Sequence, residues 1–223
     1  MIIKWITCHV EEQNRSAFAY AQEQWNGLET SEGFHWQIGG WDLKHPSEAA
    51  ILSCWDNINV YRTFMQHQHD AMFLQTNQRD TYERIQISIF EDCFPINSMN
   101  GTENLMNRHI LRIAECEVRP IHQASFEQAQ HEVWNYEMSQ SEGMLGGMFC
   151  RQGQQTAQHT HSQNQQDVRY LIASIWDSRD SHQHYVDFTL SNLLKQTGAR
   201  RSAHIIKGRL IELDPLWTVE FKN

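Results

Sequence analysis

The sequence predicts an α+β protein in which one β-α-β-β-α-β unit occurs twice. Two observations carry that prediction. The stretches ILSCWDNINVY (51–61) and IASIWDSRDSH (172–182) share the pattern I-x-S-x-W-D, and an aromatic residue or a histidine, Tyr61 or His182, stands six residues after each Trp. Around each copy, hydrophobic periodicity gives the same elements in the same order. A chain of 223 residues is long enough for two domains of roughly 100 residues each.

The first unit is read over residues 1–92. IIKWITCHV (2–10) is a short apolar run bounded by EEQN, which marks a strand. A helix from about Glu12 to Leu28 follows, because Phe18, Ala21, Trp25 and Leu28 recur at steps of three and four. GFHWQIGGW is a second strand, in which Gly39-Gly40 predicts a bulge or sharp bend. KHPSEA turns the chain into a third strand, AAILSCW (49–55). Asp56 or Asn57 then caps a helix over about Ile58–Thr76. The alternation of ERIQISIFE (83–91) makes the last strand.

The second unit is read over residues 107–223. NRHILRIAECEV (107–118) aligns Cys116 with Cys8 and Val118 with Val10, and the next helix aligns Phe126 with Phe18 and Ala129 with Ala21. Gly143 opens GMLGGMFCR as Gly33 opens its strand, VRYLIASIW aligns Trp176 with Trp55, and HIIKGRLIEL (204–213) aligns Glu212 with Glu91. Residues 93–106, with Pro, Gly and Asn and no periodicity, are expected to be a linker. The Gln-rich stretch 152–167 is expected to be a long hairpin insertion, and LWTVEF after Pro215 a short extra strand. A ferredoxin-like unit leaves one sheet face bare, so the two are expected to pack sheet to sheet as an intramolecular pseudo-dimeric α+β barrel.

Charge and composition narrow the function. The net charge is −9, and residues 1–92 hold six Lys/Arg against thirteen Asp/Glu, a surface that repels a phosphate backbone. No apolar run reaches membrane-spanning length, and MIIKWITCHVEE lacks the basic and apolar regions of a leader, so the cytoplasm is the expected location. The five cysteines, Cys8, Cys54, Cys93, Cys116 and Cys150, show no C-x-x-C spacing and are expected to be thiols rather than disulfides or zinc ligands. Three H-x-H pairs invite a metal reading. On a helix, His67/His69 and His182/His184 point about 200° apart and cannot chelate one ion, and His159/His161 have no third ligand near them in sequence.

The strand ending in Trp, the polar cap and the helix with an aromatic six residues on resemble the antibiotic-biosynthesis-monooxygenase-like (dimeric α+β barrel) superfamily. The whole chain is similar to tandem, YdbC-like members. The resemblance implies a pocket between sheet and helices, and cofactor-independent oxidation of a small aromatic or quinone-like molecule. It involves a Trp at the strand end, an Asn four residues before it and a Tyr six after it. Trp55 and Tyr61 match in the first unit; in the second Trp176 matches and His182 takes the Tyr position. Both Asn positions are apolar, Ile51 and Ile172. The resemblance thus implies Trp55, Tyr61 and His182 as catalytic candidates, with Trp176, Phe64, Tyr185 and His69 against the substrate. A small-molecule ligand is expected, with no nucleic acid, membrane, metal or cofactor, and with a homodimer open. Haem held by His69 is a weaker reading. A non-catalytic small-molecule-binding or stress-response protein is the alternative. The same aromatic residues read equally as core anchors, and Asp56 and Asp177 as helix caps.

Overall fold

A computed structural model describes residues 1–97, 109–153, 167–197 and 202–222. The chain divides into two compact units, Met1–Glu91 with Ile211–Asn223, and Asp92–Leu210. Both are α+β with antiparallel strands, and each repeats the ferredoxin-like order of elements.

In the first unit β1 (Ile2–His9), β2 (Phe34–Asp42), β3 (Glu48–Trp55) and β4 (Arg84–Phe90) are ordered β4-β1-β3-β2. α1 (Arg15–Glu23) runs on as a 3-10 helix to Thr30, and Phe18, Ala21, Trp25 and Leu28 are buried as their spacing requires. The helix expected over 58–76 is two helices, α2 (Ile58–His67) and α3 (His69–Thr76), broken at Gln68. Its cap is Asn57, whose side chain accepts from the N–H groups of Asn59 at 3.0 Å and Val60 at 3.1 Å. Asp56 instead meets the His35 ring at 2.7 Å.

Two expectations about this unit need correction. The bulge lies between Phe34 and Trp36, not at Gly39-Gly40. Gly40 serves a close approach: a Cβ there would stand 1.9 Å from the Glu212 carbonyl oxygen, where β2 pairs with Ile211–Leu213. The C-terminal strand, β10 (Val219–Glu220), also pairs with β2 and so belongs to the first unit rather than the second. Pro215–Trp217 form a turn that delivers the fully buried Trp217 against Phe18 and Trp41, at ring separations of 5.7 and 5.5 Å.

The second unit contains β5 (Asp92–Ile96), β6 (Ile110–Val118), β7 (Met144–Arg151), β8 (Val168–Trp176) and most of β9 (Ala203–Leu213), ordered β9-β6-β8-β7-β5. The expected linker therefore opens as a strand. Its register on β7 sets Cys93 opposite Cys150, and the two are joined as a disulfide. That corrects the expectation of five thiols; Cys8, Cys54 and Cys116 are buried and unpaired. The helices are α4 (Gln123–Ala129), α5 (Asn135–Ser139), α6 (Arg179–His184) and α7 (Ser191–Thr197). A π-helical turn joins each pair, Gln130–Trp134 and Tyr185–Leu190. Ser178, not Asp177, caps α6 by accepting from the Ser181 N–H at 3.1 Å. Most of the Gln-rich insertion, with His159 and His161, lies outside the described residues. No helix among the described residues is long and apolar enough to cross a membrane.

Candidate functional site

Strand register fixes which side chains share a sheet face, because cross-strand partners point the same way and alternate along the chain. In the first unit one face carries the row Ile2, Trp55, Phe34, then Lys4, Ser53, Gln37, then Ile6, Ile51, Gly39. In the second the matching rows are Ile110, Trp176, Met144, then Arg112, Ser174, Gly147, then Ala114, Ile172, Phe149. Each Trp indole donates to the Ser in the next row, Trp55 to Ser53 at 3.3 Å and Trp176 to Ser174 at 3.0 Å. The serine of I-x-S-x-W-D is thus the acceptor that lets an indole N–H be buried.

Trp55 is buried among Phe34, Tyr61 and Phe64, with ring centroids at 5.1, 5.5 and 4.7 Å. Burial pushes the Tyr61 hydroxyl up to about 12, so it holds its proton at neutral pH. His69 stacks on Phe73 at 5.8 Å and faces Trp25 and Phe64. Trp55, Phe64 and His69 border a cavity of about 70 Å³, little more than two waters' share of liquid, which has no room for a porphyrin. In the second unit, Trp176, His182 and Tyr185 pack on one another, with Trp176 at 5.6 Å from His182 and 5.0 Å from Tyr185. None of these three lines the second unit's cavity.

That cavity is larger, about 490 Å³, within the usual range for a small-molecule site. It lies between the sheet and the helices. Arg112, Ala114 and Cys116 of β6 and Ile172 of β8 form its floor. Phe126, Gln130, Trp134 and Met138 form one wall, and Leu190, Leu194, Thr197, Ser202, Ala203 and His204 the other. Its size follows from three replacements. Ile6, Tyr82 and Phe73 border the first cavity; the smaller Ala114, Ala203 and Leu194 border the second at the aligned positions, while Leu190 takes the place of His69 with little change in volume. Both π-helical turns flank this cavity. The first absorbs one extra residue between Gln130 and Trp134, relative to Gln22 and Trp25 of the first unit.

Among the described residues that line it, the cavity is an apolar and aromatic chamber with one cation. Among the described residues no carboxylate forms an ion pair with Arg112, whose charge bears on the Cys116 thiol and the Tyr185 hydroxyl. Burial nevertheless pushes Cys116 up to about 12, so it remains a thiol. Gln130 donates to Asn135 at 2.7 Å. His204 lies 3.2 Å from Asp167. Glu117, Asp167 and His204 bring one potential metal-ligand atom each within 4.8 Å of one another. That grouping joins three strands or their edges, which a search for H-x-H spacing does not reveal.

Residues 2–90 match the family model described as a domain of unknown function (DUF4937). The uncharacterized protein YdbC of Bacillus subtilis is 36% identical over 97 residues, which are 43% of this chain and 82% of YdbC. The chain belongs to the YdbC family. Solved structures show the chain's fold. A candidate monooxygenase from Lactobacillus acidophilus superposes with TM-score 0.70 at 13% identity, covering 98% of this chain and 95% of its own. One from Fusobacterium nucleatum gives 0.71 at 11%, covering 98% and 94%. An anthrone oxidase-like protein gives 0.67 at 11%, covering 100% and 94%. The YdbC-family chain therefore shares the fold of these three proteins.

Proposed function

We propose that the second unit's cavity binds a small aromatic or quinone-like molecule bearing an acidic oxygen, and that the chain oxidises it with dioxygen. The carrying observation is a cavity of about 490 Å³ walled by Phe126 and Trp134, with the Arg112 guanidinium in its floor. A flat ligand stacks on the aromatic wall while the Arg112 guanidinium donates to its oxygen and stabilises it as an anion. An ionised dihydroquinone is a far better electron donor than the neutral form. Two electrons and two protons pass to dioxygen, giving quinone and hydrogen peroxide. The candidate-monooxygenase and anthrone oxidase-like proteins of the same fold support this reaction class. Tyr61 and His182 act in this reading as packing partners of the two tryptophans rather than as proton carriers.

A second reading, a binding protein without catalysis, is favoured by Ile172. It lines the cavity at the position where the family resemblance implies Asn, and an alkyl group polarises nothing. One experiment separates the two. Oxygen uptake is followed with a panel of dihydroquinones, and ligand binding by quenching of tryptophan fluorescence. Catalysis predicts stimulated uptake with peroxide formed in equal amount, reduced about tenfold or more in Arg112→Met. Quenching without oxygen uptake leaves the binding protein. Neither signal removes both readings.

A further inference from the structure

The first unit holds a polar group that the proposed oxidation does not use. Lys4 stands opposite Ser53 and Ser53 opposite Gln37, so the three side chains leave the same face of the sheet. The rows on either side are apolar: Ile2, Trp55 and Phe34 on one, Ile6 and Ile51 on the other. Lys4, Ser53 and Gln37 are only 8%, 3% and 6% exposed, and all three line the cavity of about 70 Å³.

What these groups have in common is donors without an acceptor among the described residues. The Lys4 ammonium lies 5.3 Å from the centre of the Tyr61 ring, and no carboxylate among the described residues pairs with it. The Gln37 side-chain nitrogen is buried with no hydrogen-bond partner among the described residues. Ser53 accepts from the Trp55 indole, which leaves its own O–H to donate. An unpaired buried polar group costs about 1–3 kcal/mol, and a charged one more. The pocket is roomy enough for a group of a few heavy atoms, since one water occupies about 30 Å³ of liquid. Its outer wall is apolar and open: Ile85 and Ile87 of β4 line it and are 42% and 52% exposed.

We propose that this row binds a short apolar monocarboxylate, its oxygens accepting from Lys4, Ser53 and Gln37 and its alkyl tail lying along Ile85 and Ile87. One cation balances one carboxylate, which disfavours dianions such as sulfate. The planar headgroup offers lone pairs to three donors spread along a row. The ligand also satisfies the ammonium that burial otherwise pushes down to about 8. This site lies within the first unit and stands whether or not the second unit's cavity has its proposed role.

The test is an NMR titration of the full-length ¹⁵N-labelled chain at neutral pH with butyrate, its neutral isostere butyramide, and nitrate. Butyrate is expected to shift the amides around Lys4, Ser53 and Gln37 saturably and to leave β6 and β8 unmoved. Butyramide and nitrate should each bind about tenfold or more weakly, and Lys4→Met should lower butyrate affinity by about tenfold or more. Should Lys4→Met fail to fold by circular dichroism, Gln37→Leu replaces it, with a loss of about fivefold expected. Shifts confined to other residues, butyramide equal to butyrate, or a folded variant within about twofold of the parent protein overturn the proposal. Nitrate equal to butyrate overturns it too, since the tail would then contribute nothing.

Discussion

The second cavity should close if it is given the side chain that the first unit uses. Ala114 is 4% exposed, lies on the cavity floor and pairs with Ile172, just as Ile6 pairs with Ile51. Ala114→Ile adds three carbons into space that the structure shows empty. At about 0.8 kcal/mol per buried CH₂, the gain is at most about 2 kcal/mol. For a chain of this size that raises Tm by roughly 4–8 °C. Thermal unfolding by circular dichroism measures the shift, and the dihydroquinone assays run on the same protein measure what the cavity does. Raised stability with lost ligand quenching is the expected pair of results. A fall in stability of about 1 kcal/mol or more would mean that the floor is already packed, as overfilled cores behave. Undiminished ligand binding in a stabilised variant would refute the cavity as the site.

Three further outcomes follow from the packing and the buried charges. Trp176→Ala removes a fully buried ring and its bond to Ser174, and should cost about 3–5 kcal/mol in denaturant unfolding, the range for large-to-small core changes. Lys4 falls from 10.5 to about 8 on folding because burial disfavours its charge, beside the Tyr61 ring and the Cys8 thiol. The unfolded chain therefore binds the extra proton between about pH 8 and 10.5, and the penalty is complete below 8 and fades as pH rises through that window. Without added carboxylate, Lys4→Met should be more stable than the parent by about 3 kcal/mol at pH 7, converging toward it near pH 10.5; a gap that does not change with pH would contradict the assignment. Alkylation of the denatured, unreduced protein should label Cys8, Cys54 and Cys116 and spare Cys93 and Cys150, as peptide mass spectrometry would show.

The fold was legible because its signals are local. Apolar alternation in ILSCWD and LIASIW, the three-and-four spacing of Phe18, Ala21, Trp25 and Leu28, and the order of the elements all lie within short windows. What escaped needed long-range partners. CFPI contains a proline and is too short to read as a strand until β7 pairs with it, and only that register sets Cys93 opposite Cys150. The tail looked like an appendage of the second unit, whereas Trp217 completes the core around Phe18 and Trp41. The cavity is half visible. Aligning the repeats places Ala114 on Ile6 and Ala203 on Tyr82, a loss of volume readable in the sequence, but a missing side chain gives no motif to mark the space it leaves. Arg112 and Lys4 give no signal either, since a lone basic residue in a strand carries no motif.

The two copies divide a conflict that a single unit would have to settle alone. A cavity of ligand size forfeits packing, at about 24 cal/mol per Å³ of residual void in core-truncation series, so hollowing a unit erodes its margin of a few kcal/mol. The first unit keeps Ile6, Phe73 and Tyr82 where the second has Ala114, Leu194 and Ala203, and its cavity is correspondingly small. The second unit has exchanged that volume for space while keeping the Trp–Ser hydrogen bond and the cation beside it. The Trp176 cluster joins strand end to helix without filling the chamber, because Trp176, His182 and Tyr185 pack beside it. The π-helical turns fit the same account: one extra residue between Gln130 and Trp134 lets α4 and α5 keep their buried positions on a helix path that borders a wider chamber. Changes that enlarge the second cavity are thus confined to its lining, whereas the Trp176 cluster is free to stay as tightly packed as that of Trp55.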